Sequence, residues 1–262
     1  LLNETIDGSF PNHHPDPTVA ENLEQLQETV LRESCDLGIA FDGDGDRLGL
    51  VDSRGRIVWG DQILLFLARD VLERCPGATI VGDVKCSDAI FDAISAAGGK
   101  PLMWKTGHSV IKAKMKETAA PFGGEMAAHF VFGEGFYGYD DGLYAAVRVL
   151  SILQSSGESL AAFRDSLPPL VNTPELRVAC PEDRKREVVE EVKARLRAEG
   201  VELADIDGVR VREGGGWWLL RASNTEPALT LRCEAQDRAG LEALSRRLAA
   251  QLRASGLEPP AF

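Results

Sequence analysis

The chain lacks any long hydrophobic run. Its longest, Ile63 to Ala68, falls far short of the roughly 20 apolar residues of a spanning helix, so no membrane role is expected. No charged-then-apolar leader precedes it, so export is not expected, and the first residue is Leu1 rather than Met, which suggests a fragment or a processed chain. Positive charge is also scarce. Lysine and arginine number 29 against 41 acidic residues, a formal net charge of −12, and such a chain repels nucleic acid and anionic lipid. Any anionic ligand must then be held by local positive groups. Cysteine is sparse and unpatterned: Cys35, Cys75, Cys86, Cys180 and Cys233 are odd in number and have no C-x-x-C spacing. That disfavours a disulfide framework or a zinc site and favours a reducing cytoplasm, with the thiols acting as small buried hydrophobes. Neither an internal repeat nor a low-complexity tract is present. What remains is ordinary globular composition, 44% hydrophobic and 27% charged over 262 residues, enough for two or three domains.

The densest chemistry lies in Ala40-Phe41-Asp42-Gly43-Asp44-Gly45-Asp46-Arg47. In an extended backbone, alternate side chains share a face, which would gather Asp42, Asp44 and Asp46 together. Three like charges on one face call for a cation, and hard carboxylate oxygens suit Mg²⁺ or Ca²⁺; the competing reading is an acidic turn with no ligand. An EF-hand is excluded by spacing, because the sixth and twelfth positions from Asp42 hold Arg47 and Ser53 instead of Gly and Glu. The flanking runs Leu37–Phe41 and Leu48–Val51 read as strands joined by this loop. Three carboxylates leave an octahedral ion open to water or a substrate oxygen.

Residues 1–17, with Phe10-Pro11-Asn12-His13-His14-Pro15-Asp16-Pro17, read as loop, and adjacent histidines there as plain surface. Apolar spacing predicts a helix from Thr18 to Arg32, with Thr18 and Glu21 as a capping box. A second helix follows over Asp61–Arg74. Strand and helix then alternate through Thr79–Val84, Asp88–Ala97, Pro101–Lys105, Val110–Glu117 and Phe122–Met126, the pattern of a mostly parallel sheet whose strand ends carry ligands. Those ends hold Asp83-Val84-Lys85-Cys86-Ser87, Lys105-Thr106-Gly107-His108-Ser109 and Gly124-Glu125-Met126-Ala127-Ala128-His129. Asp140-Asp141-Gly142 opens a helix through Leu153, and Pro168-Pro169 marks a linker. Beyond it, strands near Glu175–Ala179, Gly208–Arg212, Trp217–Arg221 and Ala228–Glu234 with helices Glu182–Glu199 and Arg238–Ala254 predict a small antiparallel α+β domain. The expected fold class is therefore α/β: mixed, mostly parallel three-layer units followed by that small domain. Arg221-Ala222-Ser223-Asn224-Thr225-Glu226-Pro227 is either a plain hairpin turn or an arginine-led phosphate cradle.

The aspartate loop, Thr106-Gly107-His108, Gly124-Glu125-Met126-Ala127-Ala128-His129 and Arg221-Ala222-Ser223-Asn224-Thr225 occur in the order seen in the α-D-phosphohexomutases. Together with Phe10–Pro17 they resemble the bacterial phosphomannomutase/phosphoglucomutase branch of that family over essentially the whole chain. The resemblance implies domain two (its later part) over residues 1–56, domain three over 57–168 and domain four over 169–262. It also implies a first domain, absent from this sequence, that carries the phosphoserine; no serine loop of the T-A-S-H-N-P type occurs in these residues. By the same resemblance Asp42, Asp44 and Asp46 hold Mg²⁺ and Arg47 faces the transferring phosphate. Lys85, His108 and His129 line the reacting centre, Glu125 grips sugar hydroxyls beside Ala127, and Arg221, Ser223, Asn224 and Thr225 clamp the non-reacting phosphate. The implied activity interconverts the 1- and 6-phosphates of glucose and mannose through a hexose 1,6-bisphosphate intermediate.

One departure stands out, since the family loop usually reads G-E-M-S-G-H where this chain has Ala127 and Ala128. Loss of one hydroxyl partner costs about 0.5–1.5 kcal/mol, at most about tenfold in affinity. Ala128 costs more if its position requires a positive φ. A phosphosugar-binding module without catalysis is thus the alternative reading, and a cation-binding protein unrelated to sugars a more distant one.

Overall fold

A computed structural model describes residues 1–5 and 7–262. The chain forms two compact units, Leu1–Pro168 and Pro169–Phe262, dividing at the Pro168-Pro169 pair that can continue neither helix nor central strand.

The first unit opens with loop. A 3₁₀ turn, Ala20–Leu23, leads into α1 (Glu24–Arg32). The expected Thr18 cap is absent: the 3₁₀ turn begins after Val19 without a side-chain cap, because the Thr18 amide and hydroxyl both donate to Asp16 Oδ1, at 2.9 and 2.6 Å. Strands β1 (Leu37–Phe41), β2 (Leu48–Asp52) and the short β3 (Ile57–Val58) form an antiparallel sheet in that order. Phe41 pairs with Leu48, so the aspartate loop is the β1–β2 connection, as expected. Helix α2 (Gly60–Arg74) follows and is buried along most of its length, more fully than an amphipathic stripe implies. The reason is that it lies against β2, β4, β6, α3 and α5 at once.

Around α2 come β4 (Thr79–Asp83), α3 (Asp88–Ala96), β5 (Lys100–Trp104), α4 (His108–Thr118), β6 (Phe122–Gly124), β7 (Phe130–Phe132), α5 (Gly142–Ser156) and α6 (Leu160–Asp165). The sheet order is β5-β4-β6-β7; β4 runs parallel to β5 and β6, while β7 runs antiparallel to β6. Strand β6 stops at Gly124, short of the expected Met126, because Glu125–Ala128 form a turn closed by Glu125 N–H to His129 O (3.0 Å) and Ala128 N–H to Glu125 O (2.9 Å). That turn reverses the chain into β7, a strand that periodicity over three residues could not announce. Asp141 caps α5 by accepting from Tyr144 N–H at 2.8 Å. The core between sheet and helices is built from Ile63, Leu64, Phe66, Phe122, Phe130 and Phe163, among others.

The second unit contains β8 (Val171–Asn172), β9 (Leu176–Ala179), α7 (Lys185–Ala198), β10 (Val209–Glu213), β11 (Gly216–Ala222), β12 (Ala228–Ala235) and α8 (Arg238–Ala254). Its strands pair antiparallel in the order β10-β11-β12-β8, with β9 also on β12. Both helices lie against the sheet, burying Val188, Val192, Leu196, Leu244 and Leu248 on Trp218, Leu220, Leu229 and Leu231. Among the described residues no helix is long and apolar enough to cross a membrane.

Candidate active site

The three aspartates converge, but not on an extended strand. Residues 42–46 bend, with Gly45 at φ +79°, a conformation that glycine adopts freely. One oxygen from each of Asp42, Asp44 and Asp46 lies within 4.8 Å of the others. Asp42, its side chain 3% exposed, organises the loop. Its Oδ1 accepts from the Gly45 and Arg47 amides, both at 3.1 Å, and its Oδ2 from Arg47 Nε at 2.6 Å. Arg47 Nη1 donates across to Asp16 Oδ1 at 3.0 Å, so the guanidinium is held from two sides. Burial alone would raise the carboxyls of Asp42 and Asp16; hydrogen bonds and the charge of Arg47, joined at Asp16 by Thr18, instead hold both below their ordinary values. Asp46 differs. Burial, with the like charges of Asp42, Asp44 and Asp140, pushes its carboxyl up, against the pull of His129.

Parallel β4, β5 and β6 end at one edge, and their following loops meet there. Asp83, fully buried, ties them. It accepts from Cys86 Sγ (3.1 Å), Thr106 Oγ1 (3.0 Å) and Met126 N–H (3.1 Å). Burial raises its carboxyl, opposed chiefly by the charge of buried Lys85. Glu125, 2% exposed, accepts from Gly107 N–H at the start of α4 at 2.5 Å, and its Oε2 lies 3.0 Å from His129 Nδ1. That last contact is close but off the ring's hydrogen-bond direction, since Nδ1 finds no aligned acceptor; it acts as a charge pair. Burial would lower His129, but the charges of Glu125, Asp46 and Asp140 outweigh it and raise its basicity, with Glu125 held low in return.

The aspartate loop and the Glu125 loop are sewn together by backbone: Arg47 bridges His129, and Leu48 N–H donates to Ala128 O at 3.1 Å. His129 Nε2 then lies 3.4 Å from Asp46 and its ring stacks on that of His108, with centroids 5.0 Å apart. Ala128 sits at φ +71°, the left-handed conformation that the departure from glycine put at issue. Ala127 is half-buried in the same turn.

Sequence reasoning missed three members. Asp140 was placed in the first turn of α5, where Asp141 alone does the capping; Asp140 accepts instead from His108 Nδ1 (2.5 Å) and Lys112 Nζ (2.6 Å). Next to it, Gly142 donates its N–H to Gly45 O at 3.0 Å, and a Cβ there would meet Arg47 O at 2.7 Å, so only glycine brings α5 this close to the loop. Asp16 and Asp83 are the others. The Asp-Asp-Gly triplet and the place of Asp83 at a strand end were the local signals; the contacts of Asp16 and Asp140 span about thirty residues, beyond any periodicity. Asp46, His108, His129 and Asp140 form a second group able to hold a cation.

In the second unit, Arg221 is the penultimate residue of β11 and the turn 223–227 leads to β12. Arg221 is buried, with Nε donating to Asp207 Oδ2 at 3.0 Å and Nη2 without a partner. Ser223 Oγ accepts from the Thr225 and Glu226 amides at 3.4 and 3.2 Å. Asn224 and Thr225 are exposed.

Three family models match in succession. Residues 1–55 match phosphoglucomutase/phosphomannomutase alpha/beta/alpha domain II, residues 59–171 alpha/beta/alpha domain III, and residues 175–251 the C-terminal domain. The chain belongs to the phosphoglucomutase/phosphomannomutase family. Within this family it is 45% identical over 249 residues to the phosphomannomutase/phosphoglucomutase of Pseudomonas aeruginosa, covering 95% of this chain and 54% of that one. It is 44% identical over 252 residues to the phosphoglucomutase of Neisseria gonorrhoeae, covering 95% and 55%. The crystal structure of a family protein from Burkholderia thailandensis superposes with a TM-score of 0.88 at 42% identity, covering 98% of this chain and 54% of that one. The chain thus spans about half the length of the phosphohexomutases it matches. Its mixed α/β architecture, with parallel and antiparallel sheets, is the one the family resemblance implies.

Proposed function

We propose that this chain is the metal- and phosphate-gripping part of an Mg²⁺-dependent phosphohexomutase that interconverts the 1- and 6-phosphates of glucose or mannose. The nucleophilic phosphoserine would come from a domain outside residues 1–262, and residues 1–56, 57–168 and 169–262 would correspond to the family's second, third and fourth domains. The observation that carries this reading is the convergence of Asp42, Asp44 and Asp46 beside a twice-anchored Arg47.

The donor set fits the metal. Three hard oxygens share one spot, and the mutual repulsion that adds to burial in raising Asp46 is what a divalent cation relieves. When bound, Mg²⁺ would neutralise charge on the phosphoryl group in flight. The remaining work falls to side chains. Arg47, fixed by Asp42 and Asp16, offers positive charge with no reorganisation at the moment of transfer. His129, kept basic by Glu125, Asp46 and Asp140, holds a proton beside the loop; His108, anchored through Nδ1 by Asp140, stacks on it. Lys85 and Glu125 bring paired charge to the sugar side, next to the backbone of Ala127. Arg221, Ser223, Asn224 and Thr225 take the non-reacting phosphate, and a hexose 1,6-bisphosphate is the intermediate. The five cysteines form no disulfide among the described residues, which suits a cytoplasmic setting.

Calorimetric titration with glucose 1-phosphate in Mg²⁺ tests the assignment. Arg221→Ala is expected to weaken binding by about 1.5–3 kcal/mol, roughly ten- to a hundredfold, as befits a charge-assisted phosphate contact. Unchanged affinity would remove the clamp from the proposal.

A further inference from the structure

Lys185 has no role in the site described so far, yet its ammonium is among the most buried charges of the second unit, 3% exposed. It opens α7, where the helix dipole disfavours a cation, and lysine is rarely buried unless paired. What holds it there is the turn between β11 and β12. Lys185 Nζ lies 2.7 Å from Ser223 O and 3.0 Å from Glu226 O, with Glu182 Oε2 at 2.7 Å as its third neighbour. An ammonium has three N–H donors, so this set saturates it.

The two carbonyls bracket the turn, and the peptide geometry carries a consequence. All peptide bonds of the described chain are trans, so a carbonyl and the following N–H point in opposite directions. With Ser223 O turned to Lys185, the Asn224 N–H points away from the ammonium. The other tethered carbonyl, Glu226 O, precedes Pro227, which has no N–H to misdirect. The ammonium therefore fixes one face of the turn as carbonyl and leaves the Asn224 amide on the other, with a positive charge underneath.

We propose that Lys185 is a positioning residue for phosphate recognition: by tethering Ser223 O and Glu226 O it presents the Asn224 amide and the Ser223 and Thr225 hydroxyls to a phosphomonoester. This rests on reading the turn as a phosphate site, and it adds a buried residue 38 positions upstream of Ser223 that touches no ligand itself.

The test compares the 262-residue chain with its Lys185→Met and Lys185→Arg variants in two measurements: calorimetric affinity for glucose 1-phosphate, and amide hydrogen exchange over residues 222–228 without ligand. Lys185→Met should bind at least tenfold more weakly, exchange faster in the turn alone, and still unfold in one cooperative step; Lys185→Arg, which keeps the charge, should recover part of the affinity. The proposal is overturned if Lys185→Met binds like the parent, or if faster exchange spreads through α7 and the sheet so that the loss is one of folding. If the parent chain itself binds no phosphosugar, the phosphate reading of the turn fails separately. In that event the exchange data still decide the tether, and an unchanged turn in Lys185→Met sinks it.

Discussion

The aspartate loop of the first unit and the arginine turn of the second carry opposite charge, and they are built in opposite ways. The acidic loop draws its order from distant segments: Asp16 reaches Arg47, the Ala128 carbonyl reaches Leu48, and Gly142 reaches Gly45. The basic turn is a hairpin connection closed mostly by backbone of its own and the neighbouring strand, with Ser223 N–H to Ala228 O and Cys180 N–H to Pro227 O both at 2.9 Å. Weaker Ser223 Oγ contacts at 3.2–3.4 Å join these, and Lys185 is tied to two of the turn's carbonyls. Repelling carboxylates need an external frame, whereas donors aimed at an anion need only a fixed backbone. The first construction is costly to disturb at its hub and the second cheap to disturb locally.

The largest effect should follow from Asp83→Ala. It strands three donors, Cys86 Sγ, Thr106 Oγ1 and Met126 N–H, and removes a carboxylate whose charge, together with that of Glu125, faces buried Lys85. A loss of about 3–5 kcal/mol in unfolding free energy is expected, read from urea denaturation; a loss under about 1 kcal/mol would mean that the strand-end loops are not held through this residue.

A pH series sharpens the contrast next. His129 is raised above its reference of 6.5, so the stability it contributes is fully present below about pH 6.5 and disappears as pH climbs through the higher folded value. Glu125 is held below its reference of 4.5, so its contribution is present above about pH 4.5 and is lost as pH falls through the lower folded value. Between those limits both act. The urea midpoint of His129→Gln should therefore lie furthest below the parent's between about pH 5 and 6.5, and the gap should narrow as pH rises beyond 6.5. A gap constant up to pH 9 would show that the imidazole is held neutral.

Ala128→Gly should be the smallest. Relief of the left-handed strain is worth about 1–2 kcal/mol, offset by about 0.8 kcal/mol for a buried methyl and about 0.5–1 kcal/mol of chain entropy. The net shift in thermal unfolding should correspond to less than about 1 kcal/mol in either direction. A larger gain would show that alanine distorts this loop, and with it the seat of Glu125.

The same contrast explains what was legible in advance. The Asp-Gly-Asp-Gly-Asp loop, the alternating βα order of residues 79–124 and the arginine turn are written in contiguous residues, so spacing and turn chemistry identify them. Strands β3, β7 and β8 are too short to show a period, and β7 exists because the Glu125 turn folds back on β6. Thr18 looked like a helix cap because its competitor, Asp16, lies on the outer side of the helix start. Asp140 was legible only as half of an Asp-Asp pair; its partner His108 became visible once the sheet brought the end of β5 beside the start of α5. Four motifs in register added what local chemistry lacked, namely the likeness to a single family that the three successive domain matches bear out.

The claim that this chain holds the metal half of a mutase centre is tested most directly by supplying the other half. Mixed with the N-terminal portion of the Pseudomonas aeruginosa relative that it does not cover, and with a hexose bisphosphate primer, the chain should convert glucose 1-phosphate to glucose 6-phosphate only when Mg²⁺ is present. Asp44→Asn should abolish most of that turnover without preventing assembly. A complex that forms on size exclusion yet turns over no substrate, or one that works equally well with Asp44→Asn, would contradict the account.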